Sequence, residues 1–303
     1  MSDTLVIHHH DLDGYVAGDI VLLHHPEAVT LSLGYGAPDA LPGVEALSRF
    51  RRVVIVDYTL PTPTMQWLSD GYDGEAIWID HHASAIRSAA ENGFDRIPGM
   101  RSAPGEAPLC GAELAWRYFQ RRGIPRMLRL IGDYDTFRNS HEPEFEADVM
   151  PFYYATQVHF DREYLPANFR KEGFVLGKTE DYYDEERCET MLSQGRLIRD
   201  YVEESYRGMA AESAYVREAW GLRVLCFNCP GHGSVAVKPA FDPARHDAML
   251  RYSYNGKRWN YGIFTDQEAK PQVDVAAIAQ RYGGGGHRCA AGFCTDVLLP
   301  ELR

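Results

Sequence analysis

Short apolar runs alternate with helix-like segments through the first half of the chain. The apolar runs have the composition of β-strands and lie at residues 5–7, 29–31, 53–56 and 76–79. Helical patterns follow at residues 14–24, 61–69 and 84–91. Alternation of this kind predicts an α/β fold with a mostly parallel sheet that helices cover on both faces.

The second half of the chain divides into a helical stretch and a return to β-type patterning. Helices are predicted at 110–122 and 125–132, and helical spacing is again evident from 179 to 217. Strand-like runs follow at 222–226, 234–238, 249–250 and 259–264, before a helix at 273–282. We therefore predict an N-terminal α/β domain at 1–165, a helical connection at 166–220 and a smaller C-terminal α/β domain at 221–303.

Acidic and histidine side chains follow several of the predicted strands in the first domain. The first run leads into residues 8–13, the third into Asp57, and the fourth into residues 80–82. The carboxyl ends of parallel strands meet at one edge of a sheet, which is where open α/β sheets build their sites. The sequence therefore predicts that these side chains converge.

Composition narrows the classes of function that remain. The chain has 303 residues and a formal net charge of −12, but residues 221–303 carry a net charge of +3 and residues 1–220 one of −15. An acidic front part could hold cations, and a mildly basic tail could hold an anionic substrate. The sequence contains no apolar run long enough to predict a membrane span, and we expect a cytoplasmic protein. The six cysteines do not predict a disulfide framework, and Cys226 and Cys229 favour buried thiols over a zinc site.

The converging side chains are of the types that bind divalent metals. An extended segment would place residues 9, 11 and 13 on one side, because the strand period is two. Carboxylates mixed with imidazoles suit Mn²⁺, Fe²⁺ or Zn²⁺, and a carboxylate-rich set favours Mn²⁺. So many carboxylates in one place would repel each other strongly unless cations lay among them. The alternative is that Asp11, Asp13 and Asp57 are helix caps and the histidines are ordinary surface residues.

Five motifs in order resemble those of the DHH phosphoesterase superfamily, in its two-domain branch with a DHH-associated domain. They are HHDLDG at 9–14, VD at 56–57, DHH at 80–82, DYDT at 133–136 and GGGGHRCAAG at 283–292. The resemblance covers both ends of the chain. It implies an active site in a cleft between the two domains.

The resemblance also implies residue roles. Two divalent ions, expected to be Mn²⁺, would be bound in this site, and Asp57 would bridge them. The implied ligands are His9, Asp11, Asp13, Asp57, His81 and Asp133. His82 would face the scissile phosphate, and Asp80 would orient a histidine. In the fourth motif the spacing to Phe137 favours Asp133 over Asp135, although both stay open as ligands. His8 and His10 are expected to be structural.

The glycine-rich tail predicts a substrate-binding segment. Successive glycines allow close approach of a backbone to a phosphate, and the following side chains add donors. The predicted binding residues are Gly284, Gly285, Gly286, His287 and Arg288. The alternative is a flexible turn after a helix. Relatives carry an arginine on the strand before this helix, and residues 259–264 offer none, so Arg251, Lys257 or Arg258 could replace it.

The function implied by the resemblance is a metal-dependent phosphodiesterase. Similar nano-RNases hydrolyse short single-stranded oligonucleotides and dinucleotides to 5′-mononucleotides, and homodimers occur among relatives. The motifs serve two other chemistries equally well, a 3′-phosphoadenosine 5′-phosphate phosphatase and a cyclic-dinucleotide phosphodiesterase. A nucleotide-binding sensor without turnover would lack some of these metal-binding residues. A processive nuclease fits the short acidic chain poorly, and a pyrophosphatase would carry a basic signature in place of the glycines.

Overall fold

A computed structural model describes residues 2–34, 41–102, 107–159, 179–230, 234 and 237–302. The chain forms two compact units, Met1–Ile198 and Arg199–Arg303. The predicted domain border at 165 lies outside the described residues. Within the described ranges, no helix is both long enough and apolar enough to cross a membrane.

The first unit alternates strands and helices as the hydrophobic pattern predicts. Its strands are β1 (Thr4–His9), β2 (Val29–Leu33), β3 (Arg52–Val56) and β4 (Glu75–Ile79). Its helices are α1 (Leu12–His24), α2 (Val44–Leu47), α3 (Thr62–Asp70), α4 (Ala83–Asn92), α5 (Gly111–Phe119), α6 (Arg126–Thr136) and α7 (Met150–His159). A π-helical segment, Phe145–Val149, leads directly into α7, and a 3₁₀ turn, Thr179–Tyr183, precedes α8 (Glu185–Ser213).

The four strands of the first unit form a parallel sheet in the order β2-β1-β3-β4. Alternate residues of each strand face opposite sides, so Val54 and Val56 join a core with α1, α5 and α6. Val53 and Ile55 join a second core with α3 and α4. The prediction of a parallel α/β sheet covered on both faces is therefore confirmed. Because β1 lies between β2 and β3, the chain reverses its direction of winding there, which is the usual place for a site.

The second unit begins within α8 and contains a mixed six-stranded sheet. Its strands are β5 (Tyr215–Ala219), β6 (Leu222–Asn228), β7 (Ala248–Tyr254), β8 (Trp259–Phe264), β9 (Gly285–His287) and β10 (Ala290–Thr295). They are arranged in the order β5-β6-β7-β8-β10-β9, and β6 and β7 are the parallel pair. The helix α9 (Val275–Gln280) packs on one face, and 3₁₀ turns occupy Lys238–Ala240 and Pro300–Leu302.

The strand predicted at 234–238 is wrong in its described part. Ser234 lies in no strand, and Val237 is followed directly by the 3₁₀ turn Lys238–Ala240. Pro239 lacks an N–H group, which disfavours continuation of a strand ladder at this point. Residues 235 and 236 lie outside the described part of the chain.

Candidate metal centre

The strands β1, β3 and β4 end in the side chains that the sequence singled out. His9 is the last residue of β1, Asp57 directly follows β3, and Asp80 directly follows β4. The parallel order β1-β3-β4 carries these ends to the same edge of the sheet. Potential ligand atoms lie within 4.8 Å of one another in three overlapping groups, His9–Asp11–Asp57, Asp57–His81–His82 and Asp13–His81–Asp135.

His9 and Asp11 form one side of the cluster. Nδ1 of His9 lies 2.5 Å from Oδ2 of Asp11 and 3.8 Å from Oδ2 of Asp57. The other oxygen of Asp11 accepts a hydrogen bond from the N–H of Gly14, so Asp11 also caps α1. The cap role that the sequence offered as an alternative therefore coexists with a place in the cluster.

Asp13 reaches the cluster from a helix, not from an extended strand. β1 ends at His9 and α1 begins at Leu12, so the predicted strand alternation of residues 9, 11 and 13 is wrong. The Asp13 carboxylate accepts hydrogen bonds from the N–H groups of Gly111 (2.6 Å) and Ala112 (2.8 Å), at the start of α5. Its Oδ2 lies 3.8 Å from Nε2 of His81. The N-terminus of α5 thus supplies two hydrogen-bond donors that hold Asp13 in place.

Asp57 lies at the centre of the arrangement. Its φ of 54° is in the left-handed region, where Asp and Asn are tolerated better than branched residues. The N–H of Asp57 donates to the carbonyl of Ile79, which ties it to the end of β4. Both its carboxylate oxygens are buried and accept no hydrogen bond from the residues that the structure describes. Burial, together with Asp13, Asp11 and Asp135, raises the pKa of Asp57 well above its usual range.

His81 connects Asp57 with the carboxylate of the fourth motif. Nε2 of His81 lies 3.1 Å from Oδ1 of Asp57 and 3.4 Å from Oδ2 of Asp135. Burial lowers the pKa of His81, which favours the neutral imidazole that binds metals. Burial and the neighbouring Asp13 raise the pKa of Asp135 well above its usual range. Oδ2 of Asp135 is buried and has no hydrogen-bond partner in the described chain.

Asp133, the residue favoured by motif spacing, has a different partner. Its Oδ1 accepts a 2.6 Å hydrogen bond from Nε of Arg138. Asp133 and Asp135 are two positions apart on α6, so their side chains differ in direction by about 200°. In the structure, Asp135 therefore lies next to His81, whereas Asp133 is hydrogen-bonded to Arg138.

Buried Asp80 and partly exposed His82 form a hydrogen-bonded pair in the cluster. Asp80 is fully buried and accepts hydrogen bonds from Nδ1 of His82 (2.7 Å), the N–H of His82 (3.0 Å) and Oγ1 of Thr59 (2.5 Å). Burial opposes both charges, but the hydrogen bond between them lowers the pKa of Asp80 and raises the pKa of His82. Asp80 thus orients an imidazole, and that imidazole belongs to His82.

A buried ion pair supports the α5 amides that hold Asp13. Glu113 is 1% exposed and accepts hydrogen bonds from Arg138 through both its oxygens, at 2.9 and 3.1 Å. The Glu113 carboxylate also accepts from the N–H of Cys110 and so fixes the first turn of α5. A Cβ on Gly132 would lie 2.3 Å from Oε2 of Glu113, so glycine makes room for this carboxylate. Sequence reasoning missed this support, because none of its members follows a strand.

Gly111 is a second feature that the motifs did not reveal. A Cβ at Gly111 would lie 2.5 Å from Cβ of Asp57 and 3.0 Å from Oδ2 of Asp13. Real Cβ atoms do not approach other carbon atoms so closely, so a side chain at Gly111 would displace one of these two carboxylates. The only available sequence signal was an isolated glycine at the start of a predicted helix.

His8 and His10, which flank His9, belong to none of the three groups of potential metal ligands. His8 is buried beneath α1, and burial lowers its pKa to about 4. Nδ1 of His10 lies 2.9 Å from Oγ of Ser32 and 2.8 Å from the hydroxyl of Tyr15. These contacts fit the structural roles expected for both residues.

The predicted substrate-binding tail is an edge strand in the second unit. Gly285, Gly286 and His287 form β9 and pair with β10, while Arg288 donates to the carbonyl of Pro271. A Cβ on Gly284 would lie 2.2 Å from the carbonyl oxygen of Gly292, and Gly286 has a φ of 139°. Backbone crowding therefore accounts for these two glycines, whereas Gly285 faces open space.

Arg251 is the candidate in this sheet for the arginine that residues 259–264 do not supply. Arg251 lies on β7 opposite Gly262 of β8, and its Nε is buried without a partner among the described residues. Arg258 instead pairs with Asp296 in an exposed ion pair. Cys226 and Cys229, which form the CxxC pair in the sequence, are buried free thiols, as expected for a structural role. His232 lies outside the described residues.

The donor set of the first unit fits a divalent metal centre. Four carboxylates and three imidazoles converge, and the oxygens of Asp57 and Asp135 noted above lack hydrogen bonds from the described residues. Burying unpaired carboxylates costs free energy unless a cation compensates them. Oxygen and nitrogen donors of this kind suit Mn²⁺ and similar ions. The two oxygens of Asp57 face different groups, Oδ2 towards His9 and Oδ1 towards His81.

Comparison with known proteins gives structural neighbours only. No model of a protein family and no curated protein matches the chain. RecJ from Thermus thermophilus in complex with Mn²⁺ has a TM-score of 0.48 and 16% identity, covering 97% of this chain and 49% of that one. The pGpG-specific phosphodiesterase PggH from Vibrio cholerae has a TM-score of 0.47 and 13% identity, covering 97% and 93%.

A third neighbour is a protein from Helicobacter pylori G27, described as uncharacterized, with a TM-score of 0.36 and 12% identity over 99% of this chain and 95% of that one. The solved structures similar to this chain include members of the DHH superfamily.

Proposed function

We propose that the chain is a metal-dependent phosphoesterase that hydrolyses short oligonucleotides or dinucleotides to 5′-mononucleotides. The observation that carries the proposal is the buried carboxylate of Asp57, which accepts no hydrogen bond from the described residues and lies between two groups of potential ligands. Cations that share the carboxylate would offset the free-energy cost of burying it among other carboxylates.

Two divalent ions would be held with Asp57 between them. His9 and Asp11 would complete one site, and Asp13, His81 and Asp135 the other. Asp135 takes the role that motif spacing gave to Asp133, because Asp135 is the carboxylate near His81. When bound, the metal pair would make a water acidic and neutralise charge on the phosphate.

His82 is proposed as the group that acts on the leaving oxygen. Its hydrogen bond to Asp80 holds Nδ1 and favours the protonated ring, so Nε2 carries a proton that can be donated. The side chain is partly exposed, at 25%, which allows contact with a substrate. Asp80 is a positioning residue in this scheme because it acts through His82.

The tail of the second unit is proposed to bind the substrate anion. Gly285, Gly286 and His287 form the edge strand β9, and Gly284 directly precedes it. The side chains of His287 and Arg288 are exposed. Arginine suits phosphate recognition because its planar group donates several hydrogen bonds. Replacing Arg288 with Gln should raise KM about 10-fold with little change in kcat, and the loss should shrink at high salt.

The direct test is turnover of defined substrates with added Mn²⁺. Purified protein should release mononucleotides from pApA or pGpG, and the same protein with EDTA should not. A panel that adds 3′-phosphoadenosine 5′-phosphate and a cyclic dinucleotide separates the three chemistries by relative kcat/KM. Failure to release product from any member, in a protein that binds Mn²⁺, would contradict the proposal.

A further inference from the structure

A cavity of about 420 Å³ opens beside the metal centre, entirely within the first unit. Asp11, Asp13 and Asp135 border the cavity and also belong to the candidate metal groups. A phosphate placed at the metal centre would therefore have its attached group next to this space. Four of the other lining residues, Tyr15, Ile131, Tyr153 and Gln157, lie outside the five motifs.

Aromatic rings form one wall of the cavity. Tyr134 on α6 and Tyr153 on α7 stack with ring centroids 3.7 Å apart and planes 11° apart. Both side chains are partly exposed, and Ile131 lies one turn before Tyr134 on the same helix. Each ring covers one face of the other, so a planar ligand would stack on an outer face of the pair. The stacking holds both rings in place, so that face does not require ordering when a ligand binds.

Polar groups lie elsewhere around the same cavity. Gln157 is four positions after Tyr153 on α7, so its amide lies on the same face of the helix as the ring. Tyr15 and His10 line another part and contact each other, with the hydroxyl 2.8 Å from Nδ1. A flat apolar wall with an amide beside it suits a planar heteroaromatic group with a hydrogen-bonding edge.

We propose that this cavity binds the nucleobase of the nucleotide whose phosphate lies at the metal centre, and that Tyr153 is the main stacking residue. The inference rests on the proposed phosphoesterase function and adds the group that the first unit recognises. The volume is sufficient for a nucleoside, since ligand pockets commonly measure about 300–1,000 Å³. A sugar phosphate without a base would leave the aromatic wall in contact with water.

The test compares binding of adenosine 5′-monophosphate and ribose 5-phosphate to the full chain, with Mn²⁺ present in every sample. Neither ligand contains a phosphodiester, so binding is measured apart from turnover, by calorimetry. The wild-type protein should bind the nucleotide at least about 10-fold more tightly. The variant Tyr153→Leu should weaken nucleotide binding about 5- to 150-fold, the range for removing one stacking ring, and leave ribose 5-phosphate unchanged.

Two control variants separate stacking from general damage. Tyr153→Phe keeps the ring and should stay within about 3-fold of wild type. Tyr201→Leu removes a tyrosine that is 75% exposed on α8 and does not line the cavity, and it should change neither affinity. The unchanged binding of ribose 5-phosphate serves as the check that Tyr153→Leu is folded.

The outcomes distinguish this inference from the proposed function. If pApA is cleaved but nucleotide and ribose 5-phosphate bind equally in wild type, the base-binding cavity is wrong and the phosphoesterase stands. Equal losses for both ligands in Tyr153→Leu would also overturn the stacking role. Ring-dependent nucleotide binding without cleavage of any phosphodiester would support the cavity and overturn the proposed function.

Discussion

The two segments that the sequence marks most clearly differ in how the structure uses them. At the edge of the first sheet, buried carboxylates converge and several oxygens have no hydrogen bond from the described residues. In the second unit, the glycine-rich tail is an exposed edge strand whose backbone is paired with β10. The first segment contains buried carboxylate oxygens that lack hydrogen-bond donors among the described residues, whereas β9 in the second is hydrogen-bonded to β10.

The difference shows which motif residues require a ligand for their explanation. Gly284 and Gly286 are explained by backbone crowding alone, so their presence does not by itself demonstrate a phosphate cradle. The placement of Asp57 has no such explanation within the described protein, because a buried carboxylate among other carboxylates destabilises the fold. A ligand is thus indicated much more strongly at the first segment.

The largest effect should come from Asp57→Asn, which removes the shared carboxylate. We expect kcat to fall more than about 100-fold, beyond the loss usually caused by changing a residue that only supports a ligand. Asn is tolerated at a φ of 54°, so the variant should fold, and its metal-free melting temperature should rise because a buried charge is removed. Asp57→Ala should also lose activity but melt lower than the Asn variant. Near-normal turnover by Asp57→Asn would contradict the bridging role.

The second-largest effect should distinguish Asp133 from Asp135 as the metal ligand on α6. Asp135→Asn should weaken Mn²⁺ binding more than about 10-fold, because Asp135 lies near His81. Asp133→Asn should have a smaller effect, since its partner is Arg138. Isothermal titration with Mn²⁺ measures both affinities. The reverse order of effects would restore Asp133 as the ligand.

Glycine substitutions should affect the two segments differently. Gly111→Ala should lower Mn²⁺ affinity about 10-fold or more, because its Cβ would displace Asp57 or Asp13. Gly284→Ala should instead lower stability by about 1–3 kcal/mol, through overpacking against Gly292, and leave Mn²⁺ affinity unchanged. Gly285→Ala is the matched control, since open space surrounds that position. Loss of Mn²⁺ binding in Gly284→Ala would remove the distinction drawn above.

The smallest effect is a pH dependence in the metal-free protein. The raised pKa values of Asp57 and Asp135 mean that these two groups bind more protons in the folded state than in the unfolded state above about pH 4. Their contribution to the free energy of unfolding in EDTA should therefore fall as the pH rises from about 4 to about 8, whereas buried His8 and His81, whose pKa values are lowered, contribute in the opposite direction. Asp57→Asn removes one of the two carboxylates, so the stability of this variant relative to the wild type should increase as the pH rises. Urea unfolding of both proteins at several pH values measures this difference, and a difference that stays constant or falls would mean that Asp57 is compensated within the protein.

The sequence was sufficient for the features that depend on local pattern. Strand periodicity predicted the parallel sheet, and the residues that follow β1, β3 and β4 predicted the convergence of His9, Asp57 and His81. The choice between Asp133 and Asp135 depends on the rotation of α6 about its axis, which packing sets. The strand alternation expected through Asp13 was wrong because a helix cap at Asp11 ends the extended segment early. The role of Gly111 depends on a contact with residues far away in the sequence.

The hydrogen bonds from Gly111 and Ala112 to Asp13 join positions 98 and 99 residues apart. Closing so large a loop costs conformational entropy that nearby contacts do not repay. Asp13 therefore acquires its final orientation only when α5 docks against α1. Cation affinity should develop late during refolding, which makes capture of Mn²⁺ a reporter of completed tertiary assembly.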